Sequence, residues 1–353
     1  MKKILLTVAF AIMAAMSAQA QKIQIVDNDG NAIPLVSVMT EDGTLIGTTD
    51  LDGVLADVKG TQKVAVTHVA YKPQLVAVAS LQNGRITMED IDYGLDEIVV
   101  KPKQYIYVEN FYRAYVYRDN SLVYFKCGIM PNAYDPQKKK MEHGSLNQAL
   151  TEYAPSTSFA VNWGSRIDRH GHPGQVRLNG FPTDGMMKSR YLVEATAKEN
   201  GKVYSNADGI VGRLSNRGSQ ARMTLDAGKM QMYVNKVKGQ TKTLKAREEK
   251  EYEYKFTLIH NNSEDGYGPT NFVMSSDQWE YTDKKSHVTM VVETYATDHG
   301  YMDKNEFKDK KQDIKDDYKS ASLESLESYA TAHGVPALSP SVRQAVKKLT
   351  HMR

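Results

Sequence analysis

Residues 22–54 read KIQIVDNDGNAIPLVSVMTEDGTLIGTTDLDGV, and this stretch decides the fold of the first part of the chain. Ile23 and Ile25 fall on one face of an extended backbone and Gln24 on the other, the period of two that marks a half-buried strand. Asp29-Gly30, Asp42-Gly43 and Asp52-Gly53 punctuate the run. Asp-Gly between alternating segments is a strong hairpin signal, because Gly adopts positive φ without a Cβ penalty. Working outward, the pattern predicts strands from Lys22 to Val26, Leu35 to Met39, Leu45 to Thr49, Val54 to Val58, Val64 to Val69, Leu75 to Ala79 and Arg85 to Met88. Short strands at a spacing of ~8–12 residues predict a β-sandwich or barrel. Asp27-Asn28-Asp29-Gly30 begins like a calcium loop, but Val38 stands where a bidentate Glu would close it, so a β-turn is expected. Asp50 and Asp52 are expected to form turns in the same way.

The order of these residues resembles the carboxypeptidase regulatory-like domain, a transthyretin-like seven-stranded sandwich of secreted proteins from Bacteroides-type bacteria. The residues that carry the resemblance are Asp29-Gly30, Pro34 to Val38, Gly47 to Asp50, Asp52-Gly53, Ala70-Tyr71 and the closing Leu95 to Val100. Val54 stands where the family usually has an aromatic residue, and Ala70 where it usually has Gly. The resemblance spans residues 21–102 and implies a non-catalytic module. In the family this module accompanies a zinc carboxypeptidase domain or precedes an outer-membrane receptor barrel. No His here is followed three residues later by Glu, so the zinc pair of those peptidases is missing. The remaining chain is too short for a large receptor barrel with its plug.

Upstream, residues 1–20 read as a secretory signal peptide. Lys2 and Lys3 precede an apolar run from Ile4 to Met16, and Ala18-Gln19-Ala20 supplies the small-residue cleavage pattern. The protein is therefore expected to be exported, periplasmic or outer-membrane-associated in a Gram-negative bacterium. No later stretch is long and apolar enough to predict a transmembrane segment in the mature chain. The formal charge of +3 includes the two signal lysines, so the mature chain is near neutral, against a nucleic-acid partner. Cys127 is the single cysteine, which excludes an intramolecular disulfide and predicts a buried, inert thiol.

Pro102 marks the expected boundary, and residues 103–353 read as an antiparallel β-rich α+β domain. The fold class expected for the whole chain is mainly β, with the N-terminal seven-stranded sandwich first and amphipathic helices at the C-terminal end. Val108, Phe111, Tyr112 and Tyr115 recur at i, i+3, i+4 and i+7, which predicts a helix with one aromatic face. Val123 to Ile129 reads as a strand. Long loops are expected from about 130 to 185, including a solvated segment from Asn132 to Asn147. Within them Asp168, His170 and His172 form the candidate polar or metal site, because two imidazoles share a face when the chain is extended. Further on, Tyr252, Tyr254, Phe256 and Leu258 alternate with Glu251, Glu253, Lys255 and Thr257, which predicts a strand with one wet face. Tyr252, Tyr254, Phe256 and Trp279 are the candidate ligand-contact aromatics. Residues 303–353 read as helices, with Gly334 placed to end one of them and Ser339-Pro340 to open the next.

There is no G-x-S-x-G, H-E-x-x-H, P-loop or dinucleotide fingerprint, and no cofactor is expected. The expected function is a non-catalytic protein of the cell envelope that binds a protein or glycan. An unrecognised hydrolase and a carrier of a small glycan or lipid ligand are the alternatives, each with its site in the second domain.

Overall fold

The computed structural model describes residues 22–353 except 57, 59–60, 92, 94–104, 145–148, 157–179, 238–239, 246–252, 264–265, 284, 320, 350 and 353. The chain is mainly β and forms two compact units, Met1–Glu41 with Ile46–Asp90, and Asp42–Leu45 with Ile91–Arg353.

The first unit holds β1 (Ile23–Asp27), β2 (Ser37–Met39), β3 (Leu45–Thr48), β4 (Val54–Leu55), β5 (Lys63–His68), β6 (Tyr71–Ala77) and β7 (Arg85–Met88). They form two sheets, β4-β1-β7 and β3-β2-β5-β6, a sandwich-like arrangement. Alternation supplies the core: Ile23, Ile25, Val36, Val38, Val64, Val66, Ile86 and Met88 are all buried. The turns are built as their residue types dictate. The Asp27 carboxylate accepts the backbone N–H groups of Asp29 (2.8 Å) and Asn31 (2.9 Å), so the calcium-like motif is a turn. Asp50 repeats the device with Asp52 and Val54, both at 2.9 Å. Gly53 is required there, with φ +71° and a position where a Cβ would lie 2.4 Å from the carbonyl oxygen of Ile25. Three strands differ from expectation by more than one residue, the fourth being only Val54–Leu55. Leu35 takes φ 60°, so the second strand starts at Ser37, and the sixth starts at Tyr71. The segment from Leu95 to Val100 lies outside the described residues.

The second unit is built on β8 (Tyr105–Arg118), β9 (Ser121–Asp135), β10 (Lys140–Gly144), β11 (Ala149–Tyr153), α1 (Asp184–Tyr191), β12 (Glu194–Lys198), β13 (Gly201–Asn206), β14 (Gly209–Arg217) and β15 (Gln220–Asp226). It continues with β16 (Gln231–Val237), β17 (Gln240–Lys245), β18 (Glu253–Asn261), β19 (Phe272–Asp283), β20 (Ser286–Met302), α2 (Lys304–Asp317), α3 (Leu323–Ala332), α4 (Pro340–Lys347) and β21 (His351–Met352). One sheet of twelve strands runs β12-β13-β14-β15-β18-β19-β20-β8-β9-β11-β21, with β10 on β9, and β16-β17 stands apart as a hairpin. No helix among the described residues is long and apolar enough to cross a membrane.

Three expectations are corrected here. Residues 105–118 form β8 and no helix, pairing β20 on one side and β9 on the other. Helix-like spacing arises in this strand because both of its faces are buried, so nearly every position is apolar or aromatic. Its Tyr, Val, Phe and Ile content fits a pleated surface better than a helix. The loop expected from Asn132 is instead the end of β9, followed by β10. The polar side of β18 is wet only at its start: Glu253 is exposed, Lys255 is largely buried and Thr257 is buried.

The C-terminal helices form where their caps place them. Asp303 accepts the N–H groups of Asn305 (2.8 Å) and Glu306 (3.0 Å), while Glu306 accepts the Asp303 N–H at 2.7 Å, a reciprocal capping box. Ser322 opens α3 by accepting the N–H of Ser325, and Gly334 at φ 75° follows its end. Ser339 caps α4 ahead of Pro340. Phe307 and Ile314, then Leu323, Leu326 and Ala330, then Val342 and Val346 form the buried stripes. All three helices contact β9.

Candidate functional site

Strand register sorts the large sheet into two faces. Arg113 stands opposite Cys127 on β9 and Glu293 on β20, so these three share a face. Helix α3 brings Glu327 onto it. The Arg113 Nε and Nη2 atoms donate to Glu327 Oε1 (3.1 and 2.9 Å), and Nη2 also donates to Oε2 (2.9 Å). The Leu338 backbone N–H donates to Oε2 at 3.2 Å, and Arg343 lies 3.8 Å away. Four residues along β8, Glu109 accepts the hydroxyls of Tyr107 and Tyr329, and Lys310 reaches it at 3.6 Å. Tyr115 donates to Glu293 at 3.0 Å.

This network is a clamp between helices and sheet. Burial works against the Arg113 charge, and Tyr115, Glu327, Tyr295 and Glu293 outweigh it and hold the guanidinium protonated. Burial raises Glu293, and Arg113 partly restrains the rise. Burial drives the Tyr107 and Tyr329 hydroxyls up, with Glu109 adding to the shift. Burial likewise pushes the Cys127 thiol up, so no thiolate forms at neutral pH and the thiol is inert as expected. Acids and bases here are bonded to one another in place.

The residues singled out from sequence fare unequally. Asp168, His170, His172 and Tyr252 lie outside the described residues. Tyr254, Phe256 and Trp279 come together on the opposite, apolar face. Tyr254 stacks on Trp279 with centroids 5.1 Å apart and planes at 13°, and Phe256 lies 5.8 Å from Tyr254. The Tyr254 hydroxyl donates to Asp277 at 2.6 Å. Trp279 and Phe256 are buried, so these rings cover one another and the sheet. Among the described residues, no group of three or more His, Cys, Asp or Glu is placed to hold a metal ion.

Two further places carry polar chemistry. In the first unit a groove of about 690 Å3 is lined by Gln24, Gln74, Gln82, Asn83, Arg85 and Thr87. Its side chains engage each other and the backbone: Gln74 donates to the Thr87 carbonyl (3.1 Å) and Arg85 to Gln24 (3.4 Å). In the second unit, the hairpin β14–β15 sets Arg213 and Arg217 opposite Thr224 and Gln220, with Arg222 opposite Ser215 between them. Arg213, Ser215, Arg217, Gln220, Arg222 and Thr224 therefore project from one face. Thr224 stands opposite Thr257, Thr257 opposite Ser276 and Ser276 opposite Glu293, so this is the face that also carries Arg113. Burial, and next the charge of Arg222, bring Arg217 down to about 10. This patch was legible in the sequence GIVGRLSNRGSQARMT, where period-two alternation across a Gly-Ser turn aligns the three arginines.

No family model matches the chain, and no curated protein matches it.

Proposed function

We propose that this is a non-catalytic exported protein of the cell envelope, acting as a binding module whose large sheet makes the specific contact. The observation that carries the reading is the contrast on one face of that sheet. Its acids and tyrosines at β8, β20 and α3 are bonded within a structural clamp, whereas three half-buried arginines stand together on β14 and β15. Guanidinium donors held together on one sheet face suit recognition of an anion. The small first unit fits a spacer or docking role, as the family resemblance implies.

The test is crosslinking in intact cells, fractionation, and pull-down of the tagged chain. Recovery of a defined envelope protein or glycan supports the reading. Recovery of free soluble monomer alone, or turnover of an ester or glycoside panel by the purified chain, overturns it.

A further inference from the structure

The binding reading leaves open what the arginine patch would take. We propose that Arg213, Arg217, Arg222 and Gln220 form a site for a phosphate-type oxyanion, a phosphomonoester or diphosphate group carried on a soluble molecule or a lipid headgroup. The inference rests on the binding-module reading and names the ligand chemistry of that same face.

The first support is geometric. Arg222 is the diagonal neighbour of both Arg213 and Arg217 in the β14–β15 register. Diagonal positions on one face are ~7–8 Å apart at most, within reach of side chains as long as arginine. The strand positions of the three arginines therefore flank Ser215 on one face, within an arginine side chain's length of one another.

The second support is the neighbourhood. On the flanking strands, Val203 faces Arg213 and Gly201 faces Ser215. On the other side, Asn261, Ile259 and Thr257 face Gln220, Arg222 and Thr224. None of these positions carries a carboxylate. Arg217 falls from its ordinary value through burial and then through the charge of Arg222, so these two guanidiniums are close enough to repel.

The third support is an unsatisfied donor. Gln220 is 3% exposed, its Oε1 accepts from Arg222 Nη2 at 3.3 Å, and its Nε2 has no hydrogen-bond partner. A buried N–H donor left unmet costs about 1–3 kcal/mol, so an acceptor oxygen at this point would be stabilising. The three arginines also interact with other groups of the fold. Each guanidinium has five N–H donors, so it can hold the fold and a ligand together.

Charge and shape select the ligand. One guanidinium fork satisfies a carboxylate. Three forks and an amide N–H match a group with three acceptor oxygens and about two negative charges, as a phosphomonoester has. A single cluster on a near-neutral chain does not make the extended basic footprint of a nucleic-acid binder.

The experiment titrates the mature full chain with pyrophosphate by calorimetry. A parallel arm sediments it with phosphatidylcholine vesicles with and without phosphatidic acid. Binding that weakens about tenfold or more in Arg222→Gln, and also in Arg222→Lys because the fork is lost, supports the site. Arg217→Gln serves as the second variant, with near-ultraviolet circular dichroism to establish that each variant is folded. Pyrophosphate binding alone places the phosphate on a soluble molecule, and Arg222-dependent sedimentation places it on a lipid. Absence of both, or equal binding by the folded Arg213→Gln/Arg222→Gln variant, overturns the proposal. A pull-down partner recovered without phosphate binding leaves the binding-module reading standing and removes this site. Hydrolysis of a phosphate ester bound here does the reverse.

Discussion

The two units solve the problem of burying a sheet in different ways. The first uses short strands, with apolar residues on the inner positions and carboxylates confined to turns, as at Asp27 and Asp50. The second uses strands of up to 17 residues and buries both faces of its centre. Its second face carries charges, and helix α3 covers them with a matching carboxylate. Stability in the first unit therefore depends on turns and packing, and in the second on a few electrostatic pairs that cannot be broken singly.

The largest expected effect tests that contrast directly. Arg113 and Glu327 are both almost fully buried, so Arg113→Met leaves a lone carboxylate in the interior and should cost about 3–5 kcal/mol. The double variant Arg113→Met/Glu327→Leu should recover much of the loss. Urea unfolding followed by tryptophan fluorescence checks both, since Trp279 is buried on β19 of the second unit. Equal destabilisation by single and double variants would show that the pair is ordinary packing.

Next comes acid sensitivity. Burial holds both His260 and His299 down at about 4, against 6.5 for the free side chain. The unfolded chain then binds protons between those values that the folded chain refuses. Stability is complete above pH 6.5 and should fall as pH drops towards 4. Urea midpoints measured across this window give the slope, and His299→Gln should flatten it. Both histidines lie on strands of the second unit, so the slope should be confined to that unit.

The first unit has its own weak point. Gly53→Ala forces a Cβ against the Ile25 carbonyl at positive φ, and should cost about 1–3 kcal/mol by thermal unfolding. The second unit should be left unchanged. The smallest effect is Ser339→Ala at the cap of α4, expected to cost about 1 kcal/mol.

The contrast also explains how far the sequence could be read. Ile23, Gln24 and Ile25 alternate because one side of their strand is core and the other is not, so the period is visible. In β8 that contrast disappears. Tyr107 faces Phe307 of α2, while Val108 belongs to a separate apolar cluster, so apolar and aromatic residues fall on both faces and a period of two is hidden. The C-terminal helices were legible because capping is local chemistry, read from Asp303, Ser322 and Ser339 themselves. The clamp was not legible, since nothing near Arg113 in sequence points to a glutamate 214 residues away. The arginine patch was legible in principle, because its alternation spans one hairpin.

The separation of Arg113 from Glu327 has a further consequence, for the order of folding. Strand β8 is made early, but β20 and α3 follow more than 160 residues later. Until they arrive, β8 has only β9 beside it, and its guanidinium has nowhere dry to go. Such long-range closure slows folding and leaves an aromatic strand edge open to chaperones or self-association in the meantime. The last helices to be synthesised thus set the moment at which the first long strand becomes native.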